Sequence, residues 1–231
     1  MTEFAAAPGS DIASAQKSES HPRPARQRFI QYDVPVPASD GRAQRGAQMA
    51  NMPGFGNAPT LQGHLSTLTG RVLQYCSLGS QGLNEEQWHD TAGGKTNSPA
   101  FDIFHVVRTI DNIVHFAFDR DTPVWLVGNY HERWNLPRVD QGTGMDPAIA
   151  YALRFPMPEE FDEYIKAVQD AVVSRIAGQS DEYLQTFLDI RPWGSLSRAE
   201  AIMHGLIGHG NGHLGRISYL RDMWGLKGLG Y

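Results

Sequence analysis

The chain has 231 residues, 41% of them hydrophobic, which is enough for one domain of ordinary size with a packed core. Its net charge of −5, without a basic stripe, argues against nucleic acid as a partner. No apolar run approaches the roughly 18 residues of a membrane span, and the single cysteine, Cys76, cannot form an internal disulfide. We therefore expect a cytoplasmic protein with neither a membrane nor a nucleic-acid partner.

The first part of the chain differs in composition from the rest. Residues 1–57 are rich in Ala, Ser, Pro, Gly and Gln and show little periodicity, which predicts a flexible N-terminal arm before a bundle domain over 58–231. Within the arm, the segment 29–34 (FIQYDV) is apolar enough to dock on the domain or on a partner subunit. Plain disorder of this segment is an equal alternative.

Apolar residues recur at intervals of three and four after the arm, which is typical of amphipathic helices. Four long helices are predicted, over 59–77, 99–118, 158–178 and 197–224. Ser98 and Pro99 suit the cap and first position of the second helix, and Ser197 with Glu200 forms a capping box for the fourth. The sequence therefore predicts an all-α protein with a four-helix bundle.

The long connection between the second and third helices, 119–157, carries too many aromatic residues to be solvated. A connection of this length in a compact domain is usually functional or structured in itself. We expect a short helix around 122–134, and we expect the remainder to form a wall of the active-site pocket. In the later connection, 179–196, Trp193 is expected to cover the end of the bundle.

Three histidines are the candidate metal ligands. His209 and His213 stand four residues apart on the apolar face of the fourth helix, so both imidazoles point into the protein. Buried neutral imidazoles need a partner, and a divalent metal suits this spacing, although two hydrogen-bonded core histidines remain the alternative. His105, on the inward face of the second helix, would complete a triad. Three protein ligands leave coordination positions open, which is typical of catalytic sites.

Four glycines form a stripe on the fourth helix: Gly205, Gly208, Gly212 and Gly215. Each costs about 1 kcal/mol relative to alanine in a helix interior, so the stripe needs an offsetting gain. A contact between helices, within the bundle or across a dimer, is the favoured interpretation, and it is the reason to expect a homodimer. Room for a ligand beside the metal is the competing interpretation.

Several motifs in this chain resemble the DinB/YfiT-like superfamily of metal-dependent four-helix bundles, over residues 58–228. The motifs are Asn97-Ser98 before His105-Val106-Val107-Arg108, then Gln141-Gly142-Thr143-Gly144-Met145, and finally His209-x3-His213-Leu214-Gly215-Arg216-Ile217 closing with Leu220-Arg221-Asp222. The resemblance implies that His105, His209 and His213 bind the metal. Some relatives carry a carboxylate at the position of His209, so the metal stays open among Zn, Ni and Fe.

The leading functional hypothesis is an enzyme that uses the bound metal as a Lewis acid on a small-molecule substrate. A low-molecular-weight thiol or a small electrophile is the expected substrate, and the resemblance implies thiol S-transfer or isomerisation, with hydrolysis as a further possibility. Arg108, one turn past His105, would bind an anionic substrate or pair with Asp111 in a structural role. No Asp or Glu is expected beside the triad to act as a general base. The alternatives are a non-catalytic metal- or ligand-binding protein and a mononuclear non-haem iron enzyme.

Overall fold

A computed structural model describes residues 60–230, so the predicted arm over 1–57 lies outside the described residues. The helices are α1 Leu61–Ser80, α2 Glu85–Trp88, α3 Pro99–Asp111, α4 Val124–Val127, α5 Tyr130–Arg133, α6 Pro147–Ala152, α7 Pro158–Ala177, α8 Asp181–Gln185, α9 Arg198–Glu200 and α10 His209–Met223. A π-helical segment, Asn112–Ala117, extends α3, and a second, Ala201–Gly208, joins α9 to α10. Two strands, β1 Phe187–Ile190 and β2 Gly194–Ser197, form an antiparallel hairpin.

The helix starts follow from local capping, as the sequence predicted. The Ser98 side chain accepts from the backbone N–H of Phe101, with Pro99 at the first position of α3. Ser197 and Glu200 form the predicted capping box at α9. With α1, α3, α7 and the α9–α10 helix in place, the prediction of an all-α four-helix bundle is confirmed.

The directions of the long helices require the chain to return along the bundle between α3 and α7. α3 runs antiparallel to α10, because His105 meets His209 while Asp102, earlier in α3, meets His213, later in α10. α7 runs in the same direction as α3, so the chain must return along the bundle before α7 can begin. At 20 residues, α7 alone is about 30 Å long. An extended chain would cover this distance in about nine residues, so the return accounts for only part of the connection.

This connection is packed against the bundle, in keeping with its aromatic content. Around 122–134, where one short helix was predicted, it contains two, α4 and α5, and Asn129 between them has a left-handed φ of 51°. The third short helix, α6, lies further along the connection. Asp111, fully buried, accepts hydrogen bonds from the backbone N–H groups of Val124 and Trp125 and from the hydroxyl of Tyr164. It also accepts from Nδ1 of His115 at 2.9 Å. This carboxylate ties α3, α4 and α7 together.

The hairpin β1–β2 is an element that the sequence did not predict. Each strand has four residues, and the register pairs Phe187 with Ser197 and Ile190 with Gly194. An alternation over four residues is too short to distinguish a strand from a loop. The hairpin determines where Trp193 lies, because this residue is in the turn between the two strands.

The predictions on membrane spans and on the single cysteine can be compared with the structure of residues 60–230. Over 60–230, no helix has both the length and the apolar character that a membrane crossing requires. Cys76 is a free thiol in the core, and burial raises its pKa well above the usual range. A protonated thiol among apolar side chains fits the role of a small buried hydrophobe.

Candidate metal centre

The three predicted histidines converge between α3 and α10. Nε2 of His209 lies 3.1 Å from Nε2 of His105 and 3.1 Å from Nε2 of His213. In a tetrahedral site with metal–nitrogen bonds of 2.0–2.1 Å, neighbouring nitrogens stand about 3.3 Å apart. The ligand atoms of the three residues all lie within 4.8 Å of one another. The arrangement could therefore hold one metal ion.

Close packing of α10 brings the two faces together. A Cβ added at Gly210 would lie 2.7 Å from Cγ1 of Val72 in α1 and 3.5 Å from Cγ1 of Val106 in α3. Any larger residue at 210 would clash with Val72 and push α10 away from α1, while its contact with Val106 of α3 would be an ordinary one. Gly210 stands outside the glycine stripe, and its spacing in the sequence does not indicate this contact.

Two of the histidines are oriented by hydrogen bonds from their outer ring nitrogen. Nδ1 of His105 lies 2.7 Å from the carbonyl oxygen of Gln141, and Nδ1 of His213 lies 3.0 Å from Oδ1 of Asp102. The Gln141 carbonyl and the Asp102 carboxylate are acceptors, so Nδ1 carries the proton in each ring. Nη2 of Arg216 also lies 2.9 Å from Nδ1 of His213, but it donates to Oδ1 of Asp102 at 3.0 Å. The Nε2 atom of each neutral ring is then unprotonated, and its lone pair is directed at the other histidines.

His209 completes this pattern. It forms a hydrogen bond with the backbone of Gly205, four residues earlier, which leaves its Nε2 facing His105 and His213. Three unprotonated nitrogens about 3 Å apart repel one another unless a cation lies between them. Core histidines that satisfied one another would instead alternate donor and acceptor. The chemistry of the donor set therefore fits a divalent metal.

Asp102 anchors the far side of His213. The carboxylate is fully buried and accepts from Nε and Nη2 of Arg216 at 2.6 and 3.0 Å, and from Nδ2 of Asn97 at 3.0 Å. Burial alone would raise the pKa of Asp102, but the hydrogen bonds from His213 and Arg216 outweigh it, so the pKa lies below its usual range. The carboxylate is ionised at neutral pH, as an acceptor for a metal-bound histidine should be.

Asp102 stands beside the triad, but both of its oxygens are occupied, so it does not contradict the expectation that no Asp or Glu there acts as a general base. Asp102 lies three residues before His105, and Arg216 lies three residues after His213, so each shares a helical face with a ligand. These two spacings were a signal that sequence reasoning could have used. Among residues 60–230, however, no Asp or Glu belongs to the ligand cluster itself.

The buried histidines are held neutral. Burial lowers the pKa of His105, with partial compensation from the Gln141 carbonyl. Burial, and then the positive charges that His213 and His105 would carry, lower the pKa of His209 to about 4. Neutral imidazoles at pH 7 are the form that binds a metal.

The connection between α3 and α7 covers one side of His105. Gly142 has φ of 95°, and a Cβ there would lie 2.7 Å from Cζ of Phe101 and 3.4 Å from Nδ1 of His105. The ring of Phe101 stacks on His105 from the same helix. The segment 141–145, whose role the sequence left open, thus supplies both the acceptor and a close-fitting backbone for His105.

Trp193 lies against the triad, and the expectation that it covers the end of the bundle stays a prediction. Its half-buried indole meets the rings of His209 and His204 edge-on, with centroid distances of 5.7 Å for each. His204 is exposed and outside the ligand cluster, as its position on the helix predicted. The hairpin therefore places an aromatic wall beside His209.

Arg108 lies in the core, with 2% of its surface exposed. Its Nη2 donates to the carbonyl of Val139 at 3.3 Å, and its guanidinium lies over Trp125 and 3.9 Å from the Asp111 carboxylate. These contacts match the structural alternative, a pair with Asp111. A role for Arg108 in substrate binding stays a prediction.

The glycine stripe is not a contact between helices of the described bundle. Gly205 is covered by a side chain, that of Trp193, and within residues 60–230 nothing lies within 4 Å of a Cβ added at Gly212 or Gly215. For these two positions, the predicted helix contact inside the bundle is wrong. The predicted dimer contact stays a prediction.

The fold and the site define a class: a four-helix-bundle protein with a cluster of three histidines that could hold a metal ion. The sequence model of the DinB superfamily matches residues 80–217, more than half of the chain, so the chain belongs to the DinB superfamily. Its fold is similar to the crystal structure of a conserved protein from Enterococcus faecalis, with a TM-score of 0.57 and 18% identity over 68% of this chain and 92% of that one. A comparison with curated proteins finds no match.

Proposed function

We propose that this protein is a metal-dependent enzyme that acts on a small molecule at the His105, His209 and His213 site. The observation that carries the proposal is the convergence of three Nε2 lone pairs, 3.1 Å apart about His209, with acceptors holding the outer ring nitrogens. Three protein ligands leave coordination positions open to a substrate. A divalent ion on three neutral ligands keeps its full charge and supplies Lewis acidity that lowers the pKa of water or of a thiol.

The surrounding residues have positioning roles. Gln141 orients His105, and Asp102 orients His213 while Arg216 neutralises its charge. The two oxygens of Asp102 already accept from three other side chains, so this carboxylate is not free to act as a general base. The reacting nucleophile then comes from the substrate or from solvent, which favours a low-molecular-weight thiol or a hydrolytic reaction.

The metal is tested first, by elemental analysis after reconstitution with Zn²⁺, Ni²⁺ or Fe²⁺. We expect about one equivalent in the wild type and loss of metal in His105→Ala and His213→Ala. His204→Ala is the matched control, because His204 is exposed on the same helix and outside the cluster. Wild-type protein that takes up no metal, or variants that retain it, would refute the proposal.

Turnover is tested on each metal form with small thiols and electrophiles, as S-transfer, isomerisation or hydrolysis that stops on chelation. The engaged state of Asp102 also favours a second candidate, a protein that binds metal or ligand without turnover. Saturable ligand binding with no product in any metal form would support that candidate. Oxygen consumption by an anaerobically prepared iron form in the presence of a thiol would instead identify a mononuclear iron enzyme.

We also propose a cytoplasmic homodimer. The exposed side of α10 supports a dimer contact, because Gly215 has open space above it and Tyr219 and Met223 on the same side are 63% and 66% exposed. Large exposed apolar side chains beside a small residue are typical of contact surfaces. Sedimentation of the wild type and of Tyr219→Glu, which should be monomeric, measures this directly.

A further inference from the structure

Residues 137–142 form a strap that crosses α3 and ends at the metal centre. The strap lies between α5 and α6 and contains no helix or strand. Every second carbonyl along it accepts a hydrogen bond from a buried side chain: Pro137 from Nε1 of Trp125 at 3.2 Å, Val139 from Nη2 of Arg108 at 3.3 Å, and Gln141 from Nδ1 of His105 at 2.7 Å. The bond that orients His105 is therefore the last of three that hold the strap.

We propose that Arg108 is a positioning residue for the metal centre and that it acts through the strap. By donating to the Val139 carbonyl, Arg108 keeps the Gln141 carbonyl at the place where it accepts from His105. This role differs from the substrate binding that the sequence predicted for Arg108, because it needs no contact with a substrate. The inference rests on the proposed function, since His105 is one of the three proposed metal ligands.

The spacing of the residues couples Arg108 to His105. The two are three residues apart on α3, so their side chains leave the same face of the helix. Val139 and Gln141 are two residues apart, which keeps their Cα atoms within about 7 Å of each other. Oδ1 of Asp140, between them, accepts from the backbone N–H two residues on at 2.7 Å and fixes the turn after Gln141. A displacement of the Val139 carbonyl therefore also displaces the Gln141 carbonyl.

Packing alone does not account for an arginine at position 108. The side chain is buried, and its Nε and Nη1 have no hydrogen-bond partner of suitable geometry among residues 60–230. The Asp111 carboxylate, 3.9 Å away, already accepts from four other groups. Buried donors without a partner are destabilising, and methionine would fill a similar space without them.

The close contacts that Arg108 does make lead to the strap. Its Nη2 donates to the Val139 carbonyl, and its guanidinium lies 4.9 Å from the ring centroid of Trp125. Trp125 in turn donates to the Pro137 carbonyl. An apolar residue at 108 could supply neither the hydrogen bond nor the cation–π contact, so holding the strap is what the arginine provides.

Limited tryptic cleavage of metal-free protein tests the hold on the strap, because the strap contains a cleavage site. Arg138 is exposed and lies between the anchored carbonyls of Pro137 and Val139, so the bond after it is cut when the strap leaves the bundle. In Arg108→Met we expect this cleavage to be about fivefold faster, as the loss of one hydrogen bond implies. Cleavage after Lys166, inside α7, reports unfolding of the bundle and should change less. Mass spectrometry distinguishes the two cuts.

Zn²⁺ affinity, measured by competition with a chromophoric chelator, tests the effect on the metal centre. Arg108→Met should bind Zn²⁺ about tenfold more weakly, because the partners that orient metal-binding histidines change metal affinity by this order. By linkage, Zn²⁺ must also slow the cleavage after Arg138 in the wild type, by the factor by which closing the strap strengthens Zn²⁺ binding. A merely structural role of Arg108 would not produce this reciprocal effect.

Two further variants separate positioning from packing. Arg154→Met is the matched control, because Arg154 is exposed and donates to the carbonyls of Tyr151 and Leu153 at the other end of the same connection. It should match the wild type in both measurements. Arg108→Lys keeps a charged donor and should recover part of both properties, whereas a packing role predicts that methionine is tolerated better than lysine.

Folded Arg108→Met with the wild-type rate of cleavage after Arg138, or with the wild-type Zn²⁺ affinity, would overturn the inference. Zn²⁺ that leaves the cleavage of the wild type unchanged would do the same. If neither Arg108 variant folds, Trp125→Phe, which removes the donor to Pro137, decides by the same two measurements. Wild type that takes up no metal would overturn the proposed function instead, and the cleavage of metal-free protein would still show whether Arg108 holds the strap.

Discussion

Asp102 and His213 are joined by a hydrogen bond of 3.0 Å between Oδ1 and Nδ1, across 111 residues of sequence. The carboxylate is fully buried, and the guanidinium of Arg216 holds its other oxygen. A carboxylate in this position fixes the tautomer and orientation of a histidine and increases its basicity as a ligand. The pair connects the first turn of α3 to the face of α10 that carries His209 and His213.

Replacing Asp102 by asparagine tests this connection. Asp102→Asn keeps the shape of the side chain but removes the carboxylate that pairs with Arg216 and accepts a hydrogen bond from His213. We therefore expect the metal affinity to fall about 10–100-fold. Competition with a chromophoric chelator measures the change. Asp170→Asn, an exposed position on α7, is the control and should bind metal like the wild type. Equal affinities in the two variants would show that Asp102 does not position His213.

The close approach of α10 to α1 and α3 predicts opposite effects for two glycines of one helix. Gly210→Ala places a methyl 2.7 Å from Cγ1 of Val72, so we expect a loss of about 1–3 kcal/mol in the free energy of unfolding, with weaker metal binding. Gly215→Ala meets nothing within 4 Å among the described residues and should stabilise by up to about 1 kcal/mol. Urea unfolding of the two variants measures both, and a neutral Gly210→Ala would contradict the packing described here.

The loop over His105 predicts a similar contrast. Gly142→Ala combines a positive φ of 95° with a Cβ 2.7 Å from Phe101, which should displace the Gln141 carbonyl and lower metal affinity. Gly144→Ala is the matched control: its φ is 70°, but nothing described lies within 4 Å, so only the backbone strain of about 1 kcal/mol remains. Isothermal titration with metal should separate the two variants; equal affinities would refute a role for this loop.

The pKa values of the histidines predict how the metal-free protein responds to acid. Folding lowers the pKa of His209 from 6.5 to about 4, so between these values the unfolded chain binds a proton that the folded chain does not. The free energy of unfolding therefore falls as the pH decreases from about 6.5 towards 4, and His105 contributes in the same direction. Below that range, protonation of Asp102 removes further stability, since its folded pKa is also depressed.

The urea midpoint of chelator-treated protein at pH 7, 6 and 5 checks this expectation. In His209→Gln, which cannot take up the proton, the decrease between pH 7 and 5 should be smaller. His204→Ala removes an exposed histidine and should follow the wild type. A wild-type midpoint that is constant from pH 7 to 5 would contradict the buried, neutral state of His209.

Much of the fold and part of the site could be predicted because the controlling contacts are local. The N-cap at Ser98 and the capping box of Ser197 with Glu200 act within three residues, so the starts of these helices could be predicted from the sequence directly. His209 and His213 share a face because four residues make about one turn. The hairpin escaped prediction, since four-residue strands carry too little pattern.

The sequence by itself determined the helices, the inward faces and the identity of the three histidines. Only the tertiary structure decided that Gln141 and Asp102 accept from His105 and His213, that Trp193 stands beside His209, and that Gly210 rather than the glycine stripe carries the close packing. The physical reason is that helix formation depends on neighbours within one turn. The hydrogen bonds that orient the histidines depend instead on which helices meet, in which direction they run and at which positions along their axes they touch.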